Sequence, residues 1–192
     1  MYQTDQAKLY CLYMTSDGQI SEQERELFTG VCKELGLNYS EKKQIIEECE
    51  AIPAEDKFDK IKELIYGPAH AQKNDSWNKS YFWKKSYYSF FHDSVNHEDM
   101  LWNLINLGYA DTKYTDQERK IVEFLKSYWN VRDDVYEEMI DVAETCLALE
   151  EYKNWIEDHE ELDNKEEKIN QINKDINVSL KDIQTTLSEL RS

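Results

Sequence analysis

Four acids are spaced as a cation site would need them. Residues 15–28 read TSDGQISEQERELF, and 94 positions later the chain reads YADTKYTDQERKIV. Asp17 and Glu24 in the first stretch correspond to Asp111 and Glu118 in the second. Carboxylates are hard oxygen ligands, the kind that calcium and magnesium take. Asp17-Gly18, Ile20 and Glu24 match the back half of a calcium-binding helix–loop–helix, in which glycine makes the bend and the last glutamate binds through both oxygens. The front half does not match. Tyr13 and Thr15, and Leu107 and Tyr109 in the second copy, occupy the positions of the remaining side-chain ligands, and the second turn lacks the glycine. A self-contained calcium loop is therefore not expected in either copy. A shared site is the stronger form of the idea: if folding brings the turns together, Asp17, Glu24, Asp111 and Glu118 offer their carboxylates to one divalent cation, calcium or magnesium. A structural reading competes with it. Ser21 and Thr115 are good helix N-caps, each with a glutamate three residues later, so Glu24 and Glu118 also serve as capping-box acids. Asp17 and Asp111 can bond the backbone of their own turns.

A second candidate surface is aromatic. Residues 71–92 read AQKNDSWNKSYFWKKSYYSFFH, with four lysines against the single acid Asp75. On a helical wheel the rings point in all directions, which does not suit a lone surface helix. Three readings are open: burial on several sides, docking of a protein partner, or contact with a membrane interface, where lysine and Trp/Tyr sit together. The residues expected to carry partner binding are Trp77, Tyr81, Trp83, Lys84, Tyr87, Tyr88 and Phe91.

Little else in the chain suggests chemistry. His70, His92, His97 and His159 do not fall at the helical spacing of zinc ligands, and no nucleophile elbow or phosphate-cradling glycine loop occurs. Cys11, Cys32, Cys49 and Cys146 are scattered among apolar positions without a Cys-x-x-Cys pair, and read as reduced core residues. The sequence thus points away from an enzyme. A formal charge of −17 disfavours general nucleic-acid binding. No apolar run reaches the roughly 18 residues of a membrane span, and the first residues carry no signal pattern, so a cytoplasmic protein is expected, with peripheral membrane association left open.

The elements that must position these residues are helical. Gly (5) and Pro (2) are few among 192 residues, while helix formers are plentiful. Leu9, Leu12 and Tyr13 share a face of a first helix. Leu27, Phe28, Val31, Cys32 and Leu35 form the inward stripe of a second, which Gly36 should end by taking the left-handed conformation. Ser40 is expected to cap a third, with Ile45, Ile46 and Cys49 inward. Shifted by 94, the pattern returns without a gap over 103–144, with Thr115 for Ser21 and Asn130 for Gly36. A unit that cannot bury its own apolar face packs against its copy, so two pseudo-symmetric three-helix halves are expected. Between them Pro53 opens a helix whose Phe58, Ile61, Leu64 and Ile65 face inward. Ile169, Ile172, Ile176, Leu180, Ile183, Leu187 and Leu190 form the stripe of a terminal amphipathic helix, which should pack on the domain or on a second copy of the chain.

The doubled SDG-x-I-S-x-x-E and ADT-x-Y-T-x-x-E units resemble the TerB family of tellurite-resistance helical domains. The resemblance covers about residues 5–66 and 98–150. It implies an all-α cytoplasmic domain over 1–150, interrupted by an aromatic helical insert at 67–95 and followed by a helical extension over 151–192. It also implies a non-enzymatic adaptor or interaction module in bacterial stress response, tellurite resistance or phage defence, acting with a protein partner or as a homodimer. The alternative is a calcium or magnesium sensor built on the paired acidic turns. The chain departs from the family pattern at Thr112, which replaces the turn glycine, in the aromatic stretch, and in the tail.

Overall fold

The structure is a computed structural model that describes residues 3–18, 20–67, 96–110, 114–159 and 164–190. Among these every regular element is a helix: α1 (Gln3–Met14), α2 (Glu22–Glu34), α3 (Tyr39–Glu50), α4 (Ala54–Tyr66), α5 (His97–Tyr109), α6 (Asp116–Trp129), α7 (Asp133–Asp158) and α8 (Lys165–Glu189).

The helices begin and end where local chemistry directs them. Ser21 accepts a hydrogen bond from the Glu24 amide at 3.1 Å, and the Ser21 amide donates to Glu24 Oε2 at 2.7 Å. Thr115 and Glu118 make the same reciprocal box at the start of α6. The two helices also stop alike. Gly36 (φ +71°) and Asn130 (φ +56°) both enter the left-handed region, and the next amides reach back, Leu37 to the Cys32 carbonyl at 2.9 Å and Val131 to the Lys126 carbonyl at 3.0 Å. That pattern satisfies carbonyls that would otherwise be left over at a helix end. α3 begins two residues earlier than a cap at Ser40 would allow: Asn38 is its cap, accepting from the Ser40 and Glu41 amides.

Two helices lie at the centre. α1 is buried almost all round over Leu9–Met14, and α5 buries Met100, Leu101, Trp102, Leu104, Ile105, Leu107 and Gly108. The sequence stripe gave α1 a single inward face, but the unbroken apolar run LYCLYM leaves it no polar face, and such a helix must be enclosed. α1 packs against α2, α3, α4, α5 and α6, while α5 packs against α6, α7, α1 and α2. α4 adds a ring cluster against α6: Phe58 meets Phe124 edge-on at 5.5 Å, and Tyr66 meets Tyr128 at 5.0 Å.

One position of the predicted α2 stripe needs correction. Leu27 is 44 % exposed, because α2 enters the core along Glu24, Phe28 and Cys32, four residues apart. α7 continues through residue 150 to Asp158, and α8 packs back along it. Ile183 and Leu187 join the main core, and Ile156 and Ile172 are buried further along the same pair of helices. The terminal stripe thus finds a partner within its own chain. Leu190 at its end is 40 % exposed.

Candidate functional site

The capping acids of α2 and α6 come together beside the end of α1. Glu24 and Glu118, the capping acids of α2 and α6, are among the few buried charged residues, at 3 % and 4 % exposure. Burial pushes the Glu118 carboxyl up to about 7; hydrogen bonds from Thr115 oppose the shift, and the negative charges of Asp17 and Glu24 add to it. Glu118 therefore feels both acids of the first stretch. Thr115 supports the Glu118 carboxylate twice, through its amide at 2.8 Å and its hydroxyl at 2.8 Å.

Tyr13 belongs to the same cluster. It lies in the last turn of α1, fully buried, and among the described residues its hydroxyl has no hydrogen-bond partner. Burial pushes its hydroxyl well above the ordinary tyrosine range, and Glu118, Tyr114, Glu24 and Tyr109 push it further. Its ring tip rests on Gly108 of α5. A Cβ there would collide with Tyr13 Oη and with the Tyr114 ring, whose Cδ2 would lie 2.6 Å away. Glycine within a helix costs about 1 kcal/mol relative to alanine, and here it makes room for two tyrosines. Tyr114 in turn stacks on Tyr109 with centroids 4.5 Å apart.

On the other side of the Asp17 turn, Lys57 of α4 reaches in. Its ammonium is buried and donates to the Thr15 carbonyl at 2.5 Å, capping the negative end of α1. The Thr15 hydroxyl donates back to the Cys11 carbonyl at 2.8 Å, so the turn is pinned from both sides.

The arrangement can hold a proton or attract a cation. Among the described residues, however, no three His, Cys, Asp or Glu side chains are grouped so as to hold a metal ion. Of the expected ligands, Glu24 and Glu118 are buried, Asp17 is exposed at the rim, and Asp111 lies outside the described residues. The expected partner-binding residues Trp77, Tyr81, Trp83, Lys84, Tyr87, Tyr88 and Phe91 also lie outside them. The repeated arginines behave differently. Arg25 pairs with Glu50 at 3.3 Å within the first three helices, both half-exposed, and Arg119 lies over the Tyr114 ring, 5.3 Å from its centroid.

Sequence reasoning missed Tyr13, Gly108, Tyr114 and Lys57 as members of the cluster. Two of them carried a signal. Gly108 interrupts an apolar helical run, which marks a close approach. Lys57 shares a four-residue spacing with the inward Ile61 and Ile65, a position where a charge must find a buried acceptor.

Elsewhere large rings and a cluster of acids lie at the surface. On α7, Tyr152 and Trp155 are each 49 % exposed and stack at 6.0 Å, and Trp155 meets the His159 ring at 4.4 Å. A groove of about 400 Å³ between α7 and α8 is lined by Asp134, Glu137, Glu138, Asp141 and Asp182. No helix among the described residues is long and apolar enough to cross a membrane. Comparison of the chain with protein-family models, with curated proteins and with solved structures gives no match in any of the three.

Proposed function

We propose that this chain is a non-enzymatic, TerB-like interaction module of a bacterial stress-response or tellurite-resistance system, acting in the cytoplasm through contact with a protein partner or a second copy. In this reading α1–α3 and α5–α7 are the two related halves, and the aromatic stretch and the tail are the contact elements. The observation that supports it best is the exposed ladder of Tyr152, Trp155 and His159 at the end of α7. Large rings half open to solvent on a polar helix offer contact area at low entropic cost, as interface anchors do. The test compares wild type with Tyr152→Ala/Trp155→Ala and with Trp83→Ala/Tyr87→Ala in cross-linking pull-downs and in sedimentation, with helical content as the control. At least one pair should abolish a partner or a dimer while the fold persists. An unchanged set of partners and an unchanged mass in both pairs would reject the reading.

A second reading is a divalent-cation sensor at Asp17, Glu24, Asp111 and Glu118. It is favoured by the crowding of Glu118 with Asp17 and Glu24, which a cation would relieve. Calorimetry with calcium and with magnesium decides: neither heat nor a thermal shift in wild type would remove it.

A further inference from the structure

One face of α7 is open to solvent along most of its length. Glu138, Asp141, Thr145, Ala148, Tyr152 and Trp155 follow one another at alternating steps of three and four, the spacing that keeps side chains on a single strip of a helix. Glu138 is half-buried, and the other five are exposed. The strip is ~26 Å long at the rise of an α-helix.

Its two ends differ in chemistry. Near the start of α7 it borders the groove of about 400 Å³ between α7 and α8. Among the described residues five acids line that groove, and no lysine or arginine does. Asp134 is paired with Arg132, and Glu138 accepts from the Thr186 hydroxyl at 2.8 Å. Glu137, Asp141 and Asp182 make no ion pair among the described residues. At the far end Tyr152 and Trp155 stack on each other, each half open to solvent. Unanswered acids call for cations from outside the groove, and stacked exposed rings call for apolar cover or a cation on their faces. Two independent features of one strip thus select one kind of occupant. The alternating spacing is that of a seam between packed helices, and a groove beside such a strip takes an amphipathic helix. A second copy of α7 does not fit, because the helix carries ten acids and one lysine, and pairing it with itself brings acid to acid.

We propose that this face of α7, with the groove it shares with α8, is the docking site of a basic amphipathic helix of another protein. Lysines or arginines of that helix meet Glu137, Asp141 and Asp182, and its apolar side chains cover Tyr152 and Trp155. The proposal rests on the protein-partner reading above and gives the partner its chemistry. The rings anchor the complex, since large aromatic side chains that lose their water carry most of an interface's affinity. The acids choose the sign of the partner's charge and speed its approach, an effect that salt screens.

The probe is a fluorescein-labelled peptide of three heptads, with leucine at the seam positions of one half and lysine at those of the other. Its twin carries glutamate for lysine. Fluorescence anisotropy with the full chain measures both, and far-ultraviolet circular dichroism checks that each variant is folded. The lysine peptide should bind, and the glutamate twin should not. Tyr152→Ala/Trp155→Ala should weaken binding about tenfold or more. Glu137→Gln/Asp141→Asn should weaken it about threefold or more at low salt, and less at high salt. Glu22→Gln/Glu26→Gln makes the same change in net charge at exposed acids of α2, and should bind as wild type does. The proposal is overturned by absence of binding, by equal binding of the twin, or by unchanged affinity in either α7 variant. An equal loss in the α2 variant would also overturn it, because bulk charge would then account for the affinity. So would a dimer of the chain alone that Tyr152→Ala/Trp155→Ala makes monomeric, since a second copy would then cover the strip. A chain that loses a pull-down partner with the ring variant yet ignores the lysine peptide keeps the protein-partner reading and rejects this one.

Discussion

The first three helices and the three that begin at His97 share their punctuation but not their interiors. Helices start at residues 3, 22 and 39 and again at 97, 116 and 133, each pair 94 apart. Ser21 and Thr115 cap alike, and Gly36 and Asn130 stop alike. Between those marks the side chains diverge. Leu27 is 44 % exposed where Ile121 is fully buried. Met14 is buried where Gly108 leaves a gap for Tyr13 and Tyr114. Asn38 completes a capping box where Arg132 makes no side-chain cap at all. The comparison teaches that caps and stops are local chemistry and survive repetition, whereas packing depends on neighbours. α6 has α4 against it, through Phe58 and Tyr66, and among the described residues no ring cluster of this kind is seen on α2.

The sharpest way to break the comparison is to truncate the same repeat position in both units. Ile121→Ala removes a fully buried side chain and should cost about 2–5 kcal/mol. Leu27→Ala, at an exposed site, should cost about 0.5 kcal/mol or less. Urea midpoints at unchanged slope measure both. Equal losses would mean that the two helices are covered alike.

The next effect is electrostatic and belongs to the second unit. Glu118 titrates near 7 in the folded chain against about 4.5 when unfolded. The folded state therefore holds a proton that the unfolded state releases, and stability must fall as pH rises from about 4.5 to about 7. The full contribution is about 3 kcal/mol. Glu118→Gln keeps the capping geometry without the charge, and should remove that slope while leaving the background due to the chain's net negative charge. Stability curves of wild type and variant between pH 4 and pH 8 that ran parallel would show that Glu118 is not shielded from water.

A smaller effect tests the cradle under Tyr13. Glycine to alanine inside a helix ordinarily gains about 1 kcal/mol. At Gly108 the new Cβ meets the Tyr13 hydroxyl and the Tyr114 ring, and overpacking of this kind costs about 1–3 kcal/mol. Gly108→Ala should therefore destabilise, and Tyr13→Phe, which removes only the unpartnered hydroxyl, should restore part of the loss when combined with it. A stabilised Gly108→Ala would mean that the two tyrosines move aside freely.

How much of this was legible follows from the same division. The all-helical class, the boxes at Ser21 and Thr115 and the stops at Gly36 and Asn130 were written in single residues and their near neighbours, because each depends on a few hydrogen bonds of adjacent backbone. The folding back of the tail was legible only as two alternatives, since the stripe from Ile172 to Leu187 states that something covers it and not what. The convergence of Glu24 and Glu118 was readable only as a condition, because it requires α1 and α5 to pack, and that depends on contacts distant in sequence. Tyr13, Gly108 and Lys57 are the extreme case. Each is ordinary where it stands in the chain, and each has its role only through a residue more than forty or ninety positions away, Thr15 for Lys57 and Gly108 for Tyr13.

The smallest difference to measure is between the two capping boxes themselves. Removing a capping hydroxyl costs about 1 kcal/mol in general, and Ser21→Ala should show that cost with little dependence on pH. Thr115 has a further task. Its hydroxyl accepts from the Glu118 amide at 3.3 Å and also donates to the Glu118 carboxylate at 2.8 Å. A donor to the charged form holds a carboxyl's pKa down, so Thr115→Ala should raise the Glu118 pKa beyond its present value near 7. At pH 5, where Glu118 is protonated in the folded chain, Thr115→Ala and Ser21→Ala should cost about the same. Above pH 7 the charge must form without the Thr115 hydroxyl, and the cost of Thr115→Ala should grow by about 1.5 kcal/mol, the worth of one hydrogen bond to a charged group at its low end. Denaturant curves of the two variants at both pH values give the comparison directly. A difference that stayed constant with pH would mean that the two boxes are equivalent and that the asymmetry at Glu118 comes from burial alone.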